Sequence, residues 1–188
     1  MSYDLYLLRV PPGKDPLTEA RVAVNQDGEE INPGLPDPKK EARKRALARA
    51  LQLIDPELEV FEFDYAQIAT TLKISEPEAR RKYRHIELNG ADGENGIQIE
   101  LYDDMASITI AYWHHGHKAR QVWQGAWRYL QCLQSGGELS IYDPQLERML
   151  DLDKDLEDVL KMYRYVVDAT EKVALEMSDS TRPWWKFW

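Results

Sequence analysis

The stretch from His85 to Gln145 constrains this chain more than any other, because its apolar positions change from a period of two to a helical period and back again. Ile86 and Leu88 alternate with polar neighbours and are followed by the turn-rich run Asn89-Gly90-Ala91-Asp92-Gly93-Glu94-Asn95-Gly96. Ile97, Ile99 and Leu101 then alternate with Gln98, Glu100 and Tyr102. After the tight connection Asp103-Asp104-Met105 the alternation resumes at Ile108, Ile110 and Tyr112. This pattern predicts a three-strand meander with one apolar and one polar face, of the kind covered by helices on one side only. The glycines at 90, 93 and 96 read as hairpin-loop residues. From about His117 to Gln134, Ala119, Val122, Trp123, Ala126, Leu130 and Leu133 recur at helical spacing and predict one cover helix, with Gly136-Gly137 as its C-terminal cap. Leu139 and Ile141 predict a returning strand, and Asp143-Pro144 a turn.

The flanking segments extend this plan. Tyr3 to Val10 alternates as a first strand and is stopped by Pro11-Pro12-Gly13. Residues 11–37 hold five prolines and predict a long loop with one short element near Leu17 to Val24. Asp37-Pro38 has the form of an N-cap followed by proline in the first helical turn, opening a helix over 38–54. Leu58 to Phe63 reads as a strand, Asp64 caps a helix running to Leu72, and Glu76 to Tyr83 is a second short helix. A last helix is expected from about Lys154 to Met177. The expectation is one α+β domain over residues 1–177, with an antiparallel or mixed sheet of five or six strands and helices packed mainly on one face. Residues 178–188 form a separate aromatic tail, since composition changes sharply there.

Length and charge narrow the function classes. A chain of 188 residues is long enough for one substantial core. Its 33 acidic against 24 basic side chains give a formal charge of −9, which disfavours non-specific attraction to nucleic acid or anionic lipid. The single cysteine, Cys132, excludes an intramolecular disulfide and reads as a small core residue. The N-terminus lacks the features of a signal peptide, and no apolar run approaches the roughly 18 residues of a membrane helix, so the cytoplasm is the expected compartment.

Several residue groups carry potential chemistry. His114, His115 and His117 stand at a strand-to-helix turn, where neutral imidazoles can ligate zinc, copper or nickel. Only residues two or three apart can converge there, so His115 and His117, or His114 and His117, are the possible co-ligand pairs; His115 and His117 with Asp103 are the candidate metal ligands, and Asp104 and His85 are further donors. No H-E-x-x-H helix, Cys-x-x-Cys pair, P-loop, G-x-G-x-x-G or G-x-S-x-G elbow is present, and no cofactor is expected. Asp151, Asp153 and Asp155 imitate a calcium loop, but Leu156 stands where its glycine belongs and Met162 where its glutamate belongs. They read instead as acids favoured at a helix N-terminus. Tyr65 to Arg84 has the outline of a helix-turn-helix, with Arg80, Arg81 and Arg84 as the nucleic-acid contacts and the meander as a wing. Lys39, Lys40, Arg43, Lys44, Arg45 and Arg49 read as a solvated helix face. Trp184, Trp185, Phe187 and Trp188 are the candidate partner-binding residues, because tryptophan is a preferred anchor of protein interfaces; the same tail could instead fold back into a groove of its own subunit or touch a membrane interface.

Met1-Ser2-Tyr3-Asp4-Leu5-Tyr6-Leu7 and Tyr142-Asp143-Pro144-Gln145 resemble the M-x-YDLYL opening and late YDPQ turn of an uncharacterised bacterial protein family. The resemblance implies a bacterial cytosolic protein and assigns no catalytic residue. The leading expectation is a non-enzymatic protein-binding module that recognises a protein partner or self-associates as a homodimer. The alternatives are a metal-dependent or acid/base enzyme centred on His114, His115 and His117, and a winged-helix DNA-binding protein.

Overall fold

Antiparallel pairing runs through seven strands in the computed structural model, which describes residues 2–25, 35–90 and 96–180. The strands are β1 (Ser2–Leu8), β2 (Leu58–Val60), β3 (Ile86–Gly90), β4 (Ile97–Leu101), β5 (Met105–Ala111), β6 (Ser140–Asp143) and β7 (Arg148–Met149), in the spatial order β2-β3-β4-β5-β1-β6-β7. The meander is therefore β3-β4-β5. The first strand inserts beside it, pairing with β5 on one side and β6 on the other.

Register explains the two-faced character. Ile86 pairs with Leu101, Leu88 with Ile99, Ile99 with Ile108 and Leu5 with Ile108, so the apolar positions of neighbouring strands stack on one face. Three helices cover that face: α2 (Pro38–Ile54), α5 (Gly116–Gly137) and α6 (Leu156–Ser180). Leu47 and Leu51 of α2, Trp123, Leu130 and Leu133 of α5, and Val159, Leu160 and Tyr163 of α6 are buried against it. Helix α1 (Pro16–Asn25) realises the short element of the proline-rich segment and packs on the opposite face, where Leu8, Ala20 and Tyr142 make a small second core.

Two further helices, α3 (Tyr65–Leu72) and α4 (Glu76–Lys82), form a hairpin beside the β2 edge. Asp37, Asp64 and Ser75 cap α2, α3 and α4 with side-chain acceptors, which is why these helices begin where the sequence places them.

The differences from expectation are local. The sheet has seven strands because Arg148 and Met149 pair with Asp143 and Tyr142, a bridge too short to show periodicity. The strand at 58–63 stops at Val60, although the Phe61 amide still donates to the Glu87 carbonyl. Gly136 and Gly137 do not cap α5; the left-handed cap residue is Glu138, with φ 53°. The glycines serve packing instead: a Cβ on Gly137 would lie 2.9 Å from Leu139 Cγ, and one on Gly136 3.2 Å from Leu47 Cδ2. Gly96 fulfils its loop role, with φ +53° and Trp113 packed so closely that a Cβ would come within 2.6 Å of the indole.

Candidate functional site

The polar sheet face carries a convergent group of donors next to β2. His85 stands immediately before β3 and Glu87 two residues on within it, while Glu87 is directly opposite Glu100 across the β3–β4 pair. One donor atom from each of His85, Glu87 and Glu100 lies within 4.8 Å of the other two. Glu100 is held in place by its second oxygen: Oε2 accepts from Tyr102 Oη at 3.0 Å and from Ser107 Oγ at 2.8 Å. Glu87 Oε1 accepts from Asn89 Nδ2 at 2.7 Å. His85 Nε2 stands 4.0 Å from Glu100 Oε1, beyond hydrogen-bonding distance. The imidazole is packed between the rings of Phe63 and Tyr102, at centroid distances of 4.8 and 4.9 Å. Burial pushes its pKa down, against the pull of Glu100 and Glu87, and this favours the neutral ring. Burial and the Glu100 carboxylate together push the Tyr102 phenol up, so it serves as a donor.

Beside this group an aromatic shelf leads outward. Phe61 and Phe63 meet edge to face at 5.1 Å, and Phe63 also neighbours Tyr65 and Tyr83. Phe61, Phe63, Gln67, Ile68, Leu72 and Tyr83 line an open groove of about 420 Å3 along α3. Helix α3 buries none of its residues, and Phe61 and Leu72 are 48% and 46% exposed. Glu62 and Asp64 supply the acidic rim of the groove.

Several candidates from the sequence are committed elsewhere. Asp103 lies beneath α2, ion-paired with Lys44 at 3.1 Å and with Arg84. Lys44 is fully buried, pairs also with Glu41 at 2.8 Å and donates to the Arg84 carbonyl at 2.9 Å. The solvated-face reading of this cluster is therefore corrected for Lys44, and for Lys40 and Arg43, which pair with Asp104. The cluster ties α2 to the β4–β5 turn and to the entry of β3. Burial raises the Asp103 carboxyl, but hydrogen bonds from Arg84 and Lys44 outweigh this and hold it below the usual carboxylate range.

Asp103 does not meet His115 and His117, because β5 separates them: it spans seven residues, roughly 20 Å of strand. The donor group that does form contains neither of those histidines nor Asp103. His114 is buried, and its amide donates to Tyr163 Oη at 3.3 Å. His115 occupies the N-cap position of α5 without a capping hydrogen bond, its Nε2 being 3.2 Å from Glu171 of α6. His117 is exposed.

Of the arginines proposed for nucleic acid, Arg84 has a 7% exposed side chain set against Asp103 and Glu41. Arg80 pairs with Glu76 at 2.7 Å and stacks over Tyr65 at 4.5 Å, and Arg81 is exposed. Asp151 and Asp155 accept backbone and side-chain hydrogen bonds at the start of α6, as helix-terminal acids do. Burial raises the Cys132 thiol, which disfavours the reactive thiolate. Trp184, Trp185, Phe187 and Trp188 lie outside the described residues.

The sequence pattern points to His85 only as a further donor and does not single out Glu87 or Glu100. The signal was present in the alternation, since all three fall on polar-face positions, but their convergence depends on the β3–β4 register. No family model matches the chain, and no curated protein or solved structure matches it, in keeping with a family of unknown function. Among the described residues no helix is long and apolar enough to cross a membrane.

Proposed function

We propose that this chain is a bacterial cytosolic, non-enzymatic protein-binding module whose docking surface is the groove between the β2–α3 link and the α3–α4 hairpin. The observation that carries this reading is the exposure of Phe61, in the β2–α3 link, beside Leu72 at the end of a helix that buries none of its own residues. Apolar surface of this kind gains stability when a partner covers it, and the neighbouring edge strand leaves backbone groups for the same partner.

The occupant that fits is the aromatic segment Arg182-Pro183-Trp184-Trp185-Lys186-Phe187-Trp188 of a second copy. Its indoles supply the apolar anchors, while Arg182 and Lys186 complement Glu62 and Asp64 on the groove rim. The winged-helix alternative is weakened because Arg84 is buried in an ion-pair cluster, and the seven-residue α4 is short for a groove reader.

Light scattering tests the reading. The full chain is expected to run as a dimer, and Phe61→Asp with Leu72→Glu, or a stop after Ser180, as a monomer with unchanged circular dichroism. A full chain that is monomeric, or a dimer that survives both changes, overturns it.

A further inference from the structure

We infer that His85, Glu87 and Glu100 bind a single divalent transition-metal ion on the polar face of the sheet, with zinc the best match to their donor set. Glu87 and Glu100 are direct partners in the antiparallel register. Like charges placed directly opposite across two strands are destabilising, so this pair opposes folding unless something positive lies between them. No lysine or arginine is seen to pair with either carboxylate among the described residues. Each instead has one oxygen fixed by neutral donors: Glu100 by Tyr102 and Ser107, and Glu87 by Asn89. This is how ligating carboxylates are commonly oriented, with the outer oxygen hydrogen-bonded and the inner one directed at the cation.

His85 is the independent observation. Its side chain is only 9% exposed, it is wedged between two aromatic rings, and its Nε2 faces Glu100 Oε1 at 4.0 Å without a hydrogen bond. Two ligands sharing a zinc ion at about 2.1 Å stand roughly 3.4 Å apart in tetrahedral geometry, so a closure of about half an ångström makes Nε2 and Oε1 co-ligands.

One imidazole nitrogen with two carboxylate oxygens suits zinc or manganese better than magnesium or calcium, which favour all-oxygen shells. Lys44, whose charge acts on His85, is already paired with Glu41 and Asp103. Three protein ligands leave a fourth position for water or for a ligand atom entering along the aromatic shelf. This inference is independent of the docking role, which uses the groove beyond Phe63.

The test uses the full chain, purified without an affinity tag and stripped with a chelator. Zinc is titrated in competition with a chromophoric chelator, and thermal unfolding is followed with and without metal. The expected result is one zinc per chain, weakened more than about tenfold in both Glu100→Gln and His85→Ala, unaffected by millimolar magnesium, and unchanged in a His115→Ala, His117→Ala double variant. Glu87→Gln supplies a readout that does not depend on bound metal. With like charges opposed, the metal-free variant is expected to melt at or above the metal-free parent, whereas zinc raises the melting midpoint of the parent alone. Absence of zinc binding at about 100 μM overturns the inference, because a site that weak would not fill in a cell. Binding that survives Glu100→Gln and His85→Ala but is lost in the His115→Ala, His117→Ala protein also overturns it, and moves the site to the start of α5.

Discussion

The Tyr3 hydroxyl donates to Asp143 Oδ2 at 2.6 Å across 140 residues of sequence, deep in the helix-covered side of the sheet. Asp143 is fully buried, and its other oxygen accepts from the backbone amides of Gln145 at 2.8 Å and Leu146 at 3.0 Å. The first strand and the YDPQ turn are thus one structural unit. Tyr3 also packs edge to face on Trp123 at 5.0 Å, which couples that unit to α5.

Removing the phenol in Tyr3→Phe keeps the packing and deletes one donor to a buried carboxylate, so a loss of about 1–3 kcal/mol is expected. The loss should depend on pH. Burial raises the Asp143 pKa, and the Tyr3 hydrogen bond pulls it back down. With a raised folded pKa, the Asp143 contribution favours folding increasingly as pH falls from that pKa toward the unfolded value. The Tyr3→Phe deficit is therefore greatest at neutral pH, where the carboxylate is charged, and shrinks in acid. Urea unfolding across this range measures it, and a deficit independent of pH would contradict the role given to the bond.

Asp103 behaves in the opposite sense. Its folded pKa is lowered, so the stability it contributes is present above the unfolded value and is lost as pH falls through the folded one. Asp103→Asn leaves Lys44 and Arg84 with an uncompensated buried charge, and a loss of about 3–5 kcal/mol at neutral pH is expected. The variant should also lose less further stability in acid than the parent. Equal acid sensitivity of the two proteins in chemical unfolding would remove Asp103 from this role.

Lys73 closes α3 in the left-handed region, with φ 56° and ψ 41°, at an exposed position. That conformation costs a residue bearing a Cβ roughly 1–2 kcal/mol, part of which is offset by the greater freedom glycine has when unfolded. Lys73→Gly is expected to raise stability by about 0.5–1 kcal/mol. A lower thermal midpoint in the variant would show that the lysine does something there besides end the helix.

Much of this architecture is legible in the sequence because its cues are local. Asp37-Pro38 marks the start of α2, Asp64 that of α3, and the alternation from Ile97 to Leu101 gives both the strand and its faces. Where the reading departs from the structure, a tertiary contact has overridden a local preference. Gly136 and Gly137 look like a cap but are small because Leu47 and Leu139 lie against them. Arg84 and Lys44 look like solvated charges until Asp103 and Glu41 close around them. The donor group on the polar face was hidden for a related reason: residues 87 and 100 become neighbours only through strand pairing.

The docking role is tested most directly by titrating a labelled peptide of residues 181–188 onto the chain ending at Ser180 and following fluorescence anisotropy. Saturable one-to-one binding that disappears in the Phe61→Asp, Leu72→Glu variant is the expected result. A peptide that does not bind, or that binds the variant equally well, would contradict the assignment of the α3 groove as the docking surface.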